Sequence, residues 1–322
     1  MTKRWNVYVT RMIPLEVIDM LRQECAVEVN PNNRPLSRAE LLANVAGRDA
    51  VLTQATDIVD DAVLAAAGPR CKIFANYAVG YNNFDREAAS RRGIMLTNTP
   101  DVVTGATVEM TWALLFAAAR RLPEADRFVR AGKFKGLDPM LLLGRELDGK
   151  TLGVIGAGRI GRAFAQKAPV FGLQVIYHDV EPNPLFESET GASYVDRETL
   201  LKTADFISLH VPLLPATRHL IGERELRLMK KTAILINASR GPVVDEAALV
   251  AALQAGEIAG AGLDVFENEP TLAPGLADLE NVVLVPHIGT ATIETRLNMG
   301  RVATANILAA LRGQTPPNLL NK

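Results

Sequence analysis

At 322 residues the chain is long enough for two domains of ordinary size, each with its own core. Hydrophobic residues make up 48% and charged residues 22%, a globular balance that excludes a disordered chain. With 35 Lys and Arg against 36 Asp and Glu the formal net charge is -1, so no global field recruits nucleic acid or an anionic membrane, while one local Arg still suffices for a small anionic substrate.

From the N-terminus, MTKRWNVYVTRMIP is already strand-like and carries no apolar core or cleavage site of a signal peptide. Short apolar runs then alternate with helical patterns. The predicted strands of the first third are Asn6–Thr10, Ala26–Val29, Ala50–Thr53, Lys72–Asn76 and Ile94–Thr97. Helices are expected at Leu15–Gln23, Arg38–Val45, Asp60–Ala66 and Asp85–Arg91, the second opened by a Ser37/Glu40 capping box. Residues Val102 to about Leu122 read as one long helix, apolar almost all round, of the kind buried between domains or subunits. Its longest apolar stretch, Trp112–Ala119, is too short to span a bilayer.

A second cycle starts at Lys150. Strands are expected at Thr151–Ile155, Gln174–His178, Phe206–His210, Ala233–Asn237, Gly260–Val265 and Val282–Val285. Helices are expected near Arg159–Ala168, Arg197–Lys202, Glu223–Met229 and Glu246–Gln254. A last helix, about Thr292–Arg312, is expected to return to the first domain. The fold class is therefore α/β, with two doubly wound parallel sheets: a Rossmann dinucleotide-binding domain at 102–290, and a smaller, discontinuous substrate domain at 1–101 and 291–322. The two crossings between them are expected to form a cleft. Cys25 and Cys71 are too few for a disulfide or metal framework and read as buried small hydrophobes in a reducing compartment, so the expected location is cytoplasmic and no metal is expected.

The sequence Gly153-Val154-Ile155-Gly156-Ala157-Gly158-Arg159-Ile160-Gly161 follows a strand and opens a helix. Gly156 permits the tight turn, Gly158 lets the backbone approach a pyrophosphate, and Gly161 allows close helix–strand packing. Arg159 adds a charge at the same end. Asp179 ends the next strand, about 18 positions beyond Gly161, where a carboxylate accepts hydrogen bonds from the adenosine ribose. Asp179–Ser193 contains no Arg or Lys to clamp a 2′-phosphate, so NAD(H) is expected to be preferred, with NADP(H) allowed.

Three further strand ends carry charged or titratable residues: Ile236-Asn237-Ala238-Ser239-Arg240, Gly262-Leu263-Asp264-Val265-Phe266-Glu267-Asn268-Glu269 and Val285-Pro286-His287-Ile288-Gly289. Reduction of a 2-oxo acid requires a carboxylate anchor, a proton donor and a group that tunes the donor, and Arg240, His287 and Glu269 supply them. An imidazole titrates near 6.5 and a neighbouring carboxylate favours its charged form. The residues alone leave alternatives. His210 also ends a strand of the cofactor sheet, and Glu267 equals Glu269 on charge.

The motifs NYAVGYNNFD, GVIGAGRIGRAFA, ILINASRGPVVDE, GAGLDVFENEP and VPHIGTAT resemble, in order and across nearly the whole chain, those of the D-isomer-specific 2-hydroxyacid dehydrogenase family, most closely its glyoxylate/hydroxypyruvate reductase branch. The resemblance implies NAD(P)H-dependent reduction of a small 2-oxo acid, glyoxylate to glycolate or hydroxypyruvate to D-glycerate. It implies that His287 is the acid and base, Glu269 its partner, and Arg240 the group that binds the substrate's carboxylate and carbonyl, aided by backbone N–H groups at Val79 and Gly80. Asp264 and the Ala238 carbonyl are expected on the nicotinamide carboxamide and Thr107 beside the ring. Ala157, Ile160, Val211, Pro212, Ser239 and Gly289 complete the expected cofactor contacts, with Arg240 and His287 themselves counted among them.

Relatives in this branch often carry a tryptophan in the loop matching Lys135-Gly136-Leu137-Asp138-Pro139, where this chain has Leu137. A homodimer is expected from the apolar Val102–Leu122 helix and the Met140–Leu143 stretch. Other readings within the fold are a dehydrogenase for another D-2-hydroxy acid and a non-enzymatic, cofactor-sensing corepressor, which would be expected to carry partner-binding extensions.

Overall fold

The computed structural model describes residues 4–321. Met1–Lys3 and Lys322, included in the expected extent of the first domain, lie outside the described residues. The chain divides into two units, one running up to Val103 and resuming at Ala291, the other Thr104–Thr290.

The first unit holds strands β1 (Trp5–Val9), β2 (Cys25–Val29), β3 (Ala50–Thr53), β4 (Ile73–Asn76) and β5 (Met95–Thr97), all parallel, in the order β2-β1-β3-β4-β5. This is the flavodoxin-like order. The crossovers are α1 (Leu15–Arg22), α2 (Arg38–Val45), α3 (Asp61–Ala67) and α4 (Arg86–Arg92). The capping box of α2 forms: the Ser37 hydroxyl accepts from the Glu40 N–H at 3.3 Å, and the Glu40 carboxylate accepts from the Ser37 N–H at 2.8 Å. All residues of β3 and β4 are buried, as expected of central strands covered on both faces. One apolar cluster joins Val7, Leu52 and Ile73 to α1 and the C-terminal helix Ile293–Leu311, and the other joins Tyr8, Val51 and Phe74 to α2, α3 and α4. Cys25 and Cys71 are buried free thiols.

The second unit opens with two helices, not one: α5 (Thr104–Ala119) and α6 (Leu122–Arg130). Arg121 separates them with a left-handed φ of 53°, its guanidinium paired to Glu124 at 2.8 Å. The apolar surface of α5 is spent within its own unit. Val108, Trp112, Leu114 and Leu115 enter a core cluster with Val154, Phe164 and Ile236, and Trp112 stacks on Phe164 with ring centroids 4.5 Å apart.

Then follow β6 (Thr151–Ile155), α7 (Arg159–Ala165), β7 (Gln174–His178), α8 (Pro184–Thr190), β8 (Ser193–Tyr194), α9 (Arg197–Thr203), β9 (Phe206–Leu209), α10 (Glu223–Leu228), β10 (Ile234–Asn237), α11 (Glu246–Gln254), β11 (Gly260–Leu263) and β12 (Val282–Leu284). The strands form a seven-stranded parallel sheet in the order β12-β11-β10-β9-β6-β7-β8. Counted from β6 this is the dinucleotide-binding order 3-2-1-4-5-6 with one strand added. Three elements exceed the sequence reading: α6, which lies beyond the expected Val102–Leu122 helix, β8 and α8. Two-residue β8 is too short to show a period, and α8 starts on an Asn-Pro pair that reads as a turn although the Asn183 side chain caps it. In the parallel register Asn237 pairs with Leu263 and Leu263 with Leu284, so β10, β11 and β12 end level. No helix among the described residues is long and apolar enough to cross a membrane.

Candidate active site

At the end of β6 the chain reverses through Gly156, whose φ of 103° suits only glycine and whose N–H donates to the His178 carbonyl at 2.9 Å. A Cβ on Gly156 would meet the His210 backbone at 2.7 Å, and one on Gly161 would collide with the Gly156 carbonyl. Around Gly158 there is open space instead, and α7 starts there without a side-chain cap. Two glycines thus serve packing while the third leaves room beside uncapped N–H groups. That is the cradle a pyrophosphate needs.

Asp179 stands at this turn. Its Oδ2 accepts from the Ala157 N–H at 2.7 Å and its Oδ1 from the Val180 N–H at 2.7 Å. Asn183, which sequence reading passed over, donates its side-chain amide to the Ala157 carbonyl at 3.1 Å and its N–H to the Tyr177 hydroxyl at 2.7 Å. Arg159 is exposed at the start of α7 and Ile160 packs into the core behind it. Val211 and Pro212 follow β9, the Pro212 carbonyl accepting from the Thr217 hydroxyl at 2.6 Å. Thr107 is buried on α5.

The level ends of β10, β11 and β12 present the titratable residues. After β10, the buried Asn237 side chain accepts from the Ser239 N–H and hydroxyl at 3.0 and 2.8 Å and donates to the Arg240 carbonyl at 3.0 Å. The Ala238–Arg240 segment is thereby wrapped around one amide. Burial pulls the Arg240 pKa down and the Glu269 charge opposes it; a guanidinium keeps its proton regardless.

After β11, Asp264 is 2% exposed, and it accepts from the Ile288 N–H at 2.6 Å and the Gly289 N–H at 2.8 Å. Burial raises its pKa; those two bonds and the His287 charge work against the rise. Asp264 therefore holds the segment after β12 that carries His287. His287 has a left-handed φ of 52°, a conformation that costs about 1–2 kcal/mol for such a residue. Its own N–H donates to the Val285 carbonyl at 3.0 Å, and with the two bonds to Asp264 this offsets the cost at about 1 kcal/mol each.

His287 Nδ1 lies 2.8 Å from Glu269 Oε2, while Glu269 Oε1 accepts from the Phe266 N–H at 3.0 Å. With Nδ1 facing a carboxylate, the other ring nitrogen, Nε2, is the one left for a reactant. Burial pushes the Glu269 pKa up, yet the bond and charge of His287, the Phe266 N–H and Arg240 together hold it below the usual carboxylate value.

The rival residues are engaged elsewhere. Glu267 is bound by His219 Nε2 at 2.5 Å, by Arg218 at 3.3 Å and by the Glu246 N–H at 3.3 Å. His210 Nε2 lies 2.9 Å from the Ser208 hydroxyl and its ring packs on Phe164, and burial pushes its pKa down to about 3, so it is neutral near pH 7. His178 Nδ1 is 3.0 Å from the Val195 carbonyl.

Val79 and Gly80 follow β4 in the first unit. Their carbonyls are fixed by the side chains of Asn98, at 2.7 Å, and Asn76, at 2.8 Å, and Asn76 is joined to Asn83 at 3.1 Å. These asparagines are buried; Asn76 and Asn83 belong to the NYAVGYNNFD motif, while Asn98 lies outside it and left no sequence signal.

The cradle and the strand-end residues define a nicotinamide-dependent oxidoreductase. The description "D-isomer specific 2-hydroxyacid dehydrogenase, NAD binding domain" matches residues 112–289. A glyoxylate reductase of Thermococcus litoralis is 52% identical over 321 residues, which cover 98% of this chain and 97% of that protein. Another, of Aeropyrum pernix, is 49% identical over 326 residues, covering 99% and 97%. Among solved structures, a protein of Thermus thermophilus is similar with a TM-score of 0.92 and 45% identity, covering 98% of this chain and 99% of that one. An NADPH-dependent glyoxylate/hydroxypyruvate reductase of Sinorhizobium meliloti, in complex with NADP and malonate, has a TM-score of 0.87 and 32% identity, covering 99% and 97%. The chain belongs to the D-isomer specific 2-hydroxyacid dehydrogenase family, in its glyoxylate-reductase branch. It is an NAD(P)-dependent enzyme that reduces a small 2-oxo acid.

The state of His210 is testable. Its folded pKa of about 3 lies below the unfolded value, so the unfolded chain binds the extra proton and stability falls as pH drops from about 6.5 toward 3, by at most about 1.4 kcal/mol per pH unit. The His210 imidazole should show no NMR titration between about pH 5 and 8, and His210→Gln should flatten the acid side of the stability profile. Protonation of His210 near 6.5 would refute its assignment as a neutral group.

Proposed function

We propose that the enzyme reduces glyoxylate to glycolate and hydroxypyruvate to D-glycerate, with His287 as proton donor in reduction and acceptor in the reverse direction. The 2.8 Å bond between His287 and Glu269, with Arg240 within electrostatic reach of the same carboxylate, carries this reading. The names of the similar Thermococcus litoralis and Aeropyrum pernix proteins support glyoxylate, and that of the Sinorhizobium meliloti reductase supports glyoxylate and hydroxypyruvate. A nicotinamide cofactor with its pyrophosphate at the glycine turn would supply the hydride. Arg240 grips the substrate carboxylate and polarises the carbonyl, a task its planar fork suits better than a lysine would. His287 delivers the Nε2 proton to the developing alkoxide, and Glu269 orients the ring and stabilises the imidazolium form. Asp264, the Ala238 carbonyl and Thr107 hold the nicotinamide, and the contacts at Ala157, Ile160, Val211, Pro212, Ser239 and Gly289 complete the cofactor site.

We further propose that NADH is preferred over NADPH. The Asp179 carboxylate is held at the turn by two backbone N–H groups, and each oxygen retains a lone pair for a ribose hydroxyl. A 2′-phosphate there would meet a like charge. Asp179→Ala should lower kcat/KM with NADH and narrow the gap to NADPH, and adding V180R should move preference further toward NADPH. A wild-type enzyme with the higher kcat/KM for NADPH would overturn this assignment.

We also infer a homodimer in the cytoplasm. Leu122, Val129, Phe134, Met140 and Leu143 are exposed large apolar residues of α6 and the segment after it, and Leu137 is 96% exposed. A partner copy would cover them. Sedimentation at micromolar concentration should give twice the chain mass; a monomer contradicts the inference. The buried free thiols fit a reducing compartment.

His287→Ala should cut kcat by about 10²- to 10⁴-fold with little change in cofactor affinity, and Arg240→Ala should raise the KM for the oxo acid as well as slow turnover. Glyoxylate and hydroxypyruvate should exceed pyruvate and phenylpyruvate in kcat/KM. Preference for phenylpyruvate, or an active His287→Ala, would contradict the proposal.

A further inference from the structure

Glu246, the first residue of α11, is a carboxylate at 3% exposure that the chemistry above does not use. Its Oε1 accepts from the Glu267 N–H at 2.5 Å and its Oε2 from the Ala273 N–H at 3.1 Å. In return the Glu246 N–H donates to the Glu267 carboxylate at 3.3 Å. One carboxylate thus takes a donor from each end of the segment Glu267–Ala273, and Glu269 lies inside that segment. A second restraint acts at the same end: Gly241, next to Arg240, packs so closely on Phe266 and Glu267 that a Cβ there would collide with the Phe266 carbonyl. Within the segment the Thr271 N–H closes a turn onto the Asn268 carbonyl at 2.8 Å, with Glu269 at its bend.

We propose that Glu246 is a positioning residue for the proton-transfer pair: by pinning both ends of the Glu267–Ala273 loop it holds Glu269 at bonding distance from His287 Nδ1. The proposal rests on the reading of His287 and Glu269 as that pair. A glutamate suits the task because a carboxylate presents an acceptor at each oxygen. Glutamine keeps the shape but puts an N–H₂ against one of the two N–H donors, so one end of the loop is released and a buried donor loses its partner. Burial raises the pKa of Glu246, and the neighbouring charges of Glu267 and Glu269 raise it further; the two N–H bonds oppose this, so the carboxylate owes its place to the loop amides. The loop in turn needs it. Glu267 is also held by Arg218 and His219, contacts that do not touch Glu269 itself.

The test compares E246Q, E246D and E246A with E269Q and H287A, all as full chains confirmed folded by gel filtration and cofactor binding. Charged groups facing the pair are Arg240 and Asp264, with Glu246 and Glu267 behind the loop and Arg218 and His219 on Glu267. Loss of orientation in E246Q should lower kcat by about 10- to 100-fold while the KM for NADH changes by less than about twofold. The pH profile of reduction should move in the same direction in E246Q as in E269Q. E246D, too short to reach both amides, should behave alike, and E246A should be the most affected. A residue that merely stabilised the fold would lower the melting temperature and leave kcat and the pH profile at wild-type values in the folded variants, and that result overturns the proposal. If E269Q and H287A themselves retain full activity, the reading of the pair fails. If they are impaired and the folded Glu246 variants are not, only the positioning role fails.

Discussion

Three parallel strands that stop at the same level are the constraint from which the site follows. Asn237, Leu263 and Leu284 are paired across β10, β11 and β12, so the chain leaves all three strands at one edge. A parallel sheet puts every carboxyl end on the same side, and residues from distant stretches of sequence then share a small volume. Arg240, Asp264 with Glu269, and His287 arrive there on three separate connections, shortly after β10, β11 and β12 end at Asn237, Leu263 and Leu284. Shifting one strand by a residue would turn its side chains to the opposite face and separate the group it carries from the others.

The acidic residues near this edge divide the work. Asp264 takes two amides of the His287 segment, Glu269 takes the imidazole, Glu267 answers Arg218 and His219, and Glu246 takes two amides of the loop that bears Glu269. Each carboxylate has donors of its own. Four acids would otherwise repel one another, and burial alone pushes the pKa values of Asp264 and Glu246 upward. Glu269 differs in that a histidine, an arginine and one amide outweigh its burial and keep it ionised. An ionised Glu269 is what a charged imidazole requires of its neighbour.

Much of this was legible in the order of residues. Strand-end motifs marked Asp179, Arg240 and His287, because a titratable residue directly after an apolar run has few structural duties. Choosing between Glu267 and Glu269 was beyond reach from composition: the two are separated by Asn268, and only the turn from Asn268 to Thr271 decides which faces the histidine. Asn183 left no pattern, and Asn237 and Glu246 were marked only as members of the ILINASRGPVVDE motif. They are polar groups that answer backbone amides or carbonyls, and such partners have no periodicity to read. The expected helix from Val102 to about Leu122 covers α5 and stops where α6 begins; α6 follows a left-handed Arg121, which carries no compositional mark. With α5 occupied by its own core, the apolar surface free for a partner lies farther along, on α6 and the segment from Phe134 to Leu143.

The most direct measurement is a crystal structure of the enzyme with NADH and oxamate, a non-reacting analogue of a small 2-oxo acid. The account predicts His287 Nε2 within hydrogen-bond distance of the oxamate oxygen that replaces the reacting carbonyl, with the ring still on Glu269 and the Arg240 guanidinium on the analogue's carboxylate. A complex in which that oxygen faces a different proton donor, with His287 turned away from it, would contradict the account.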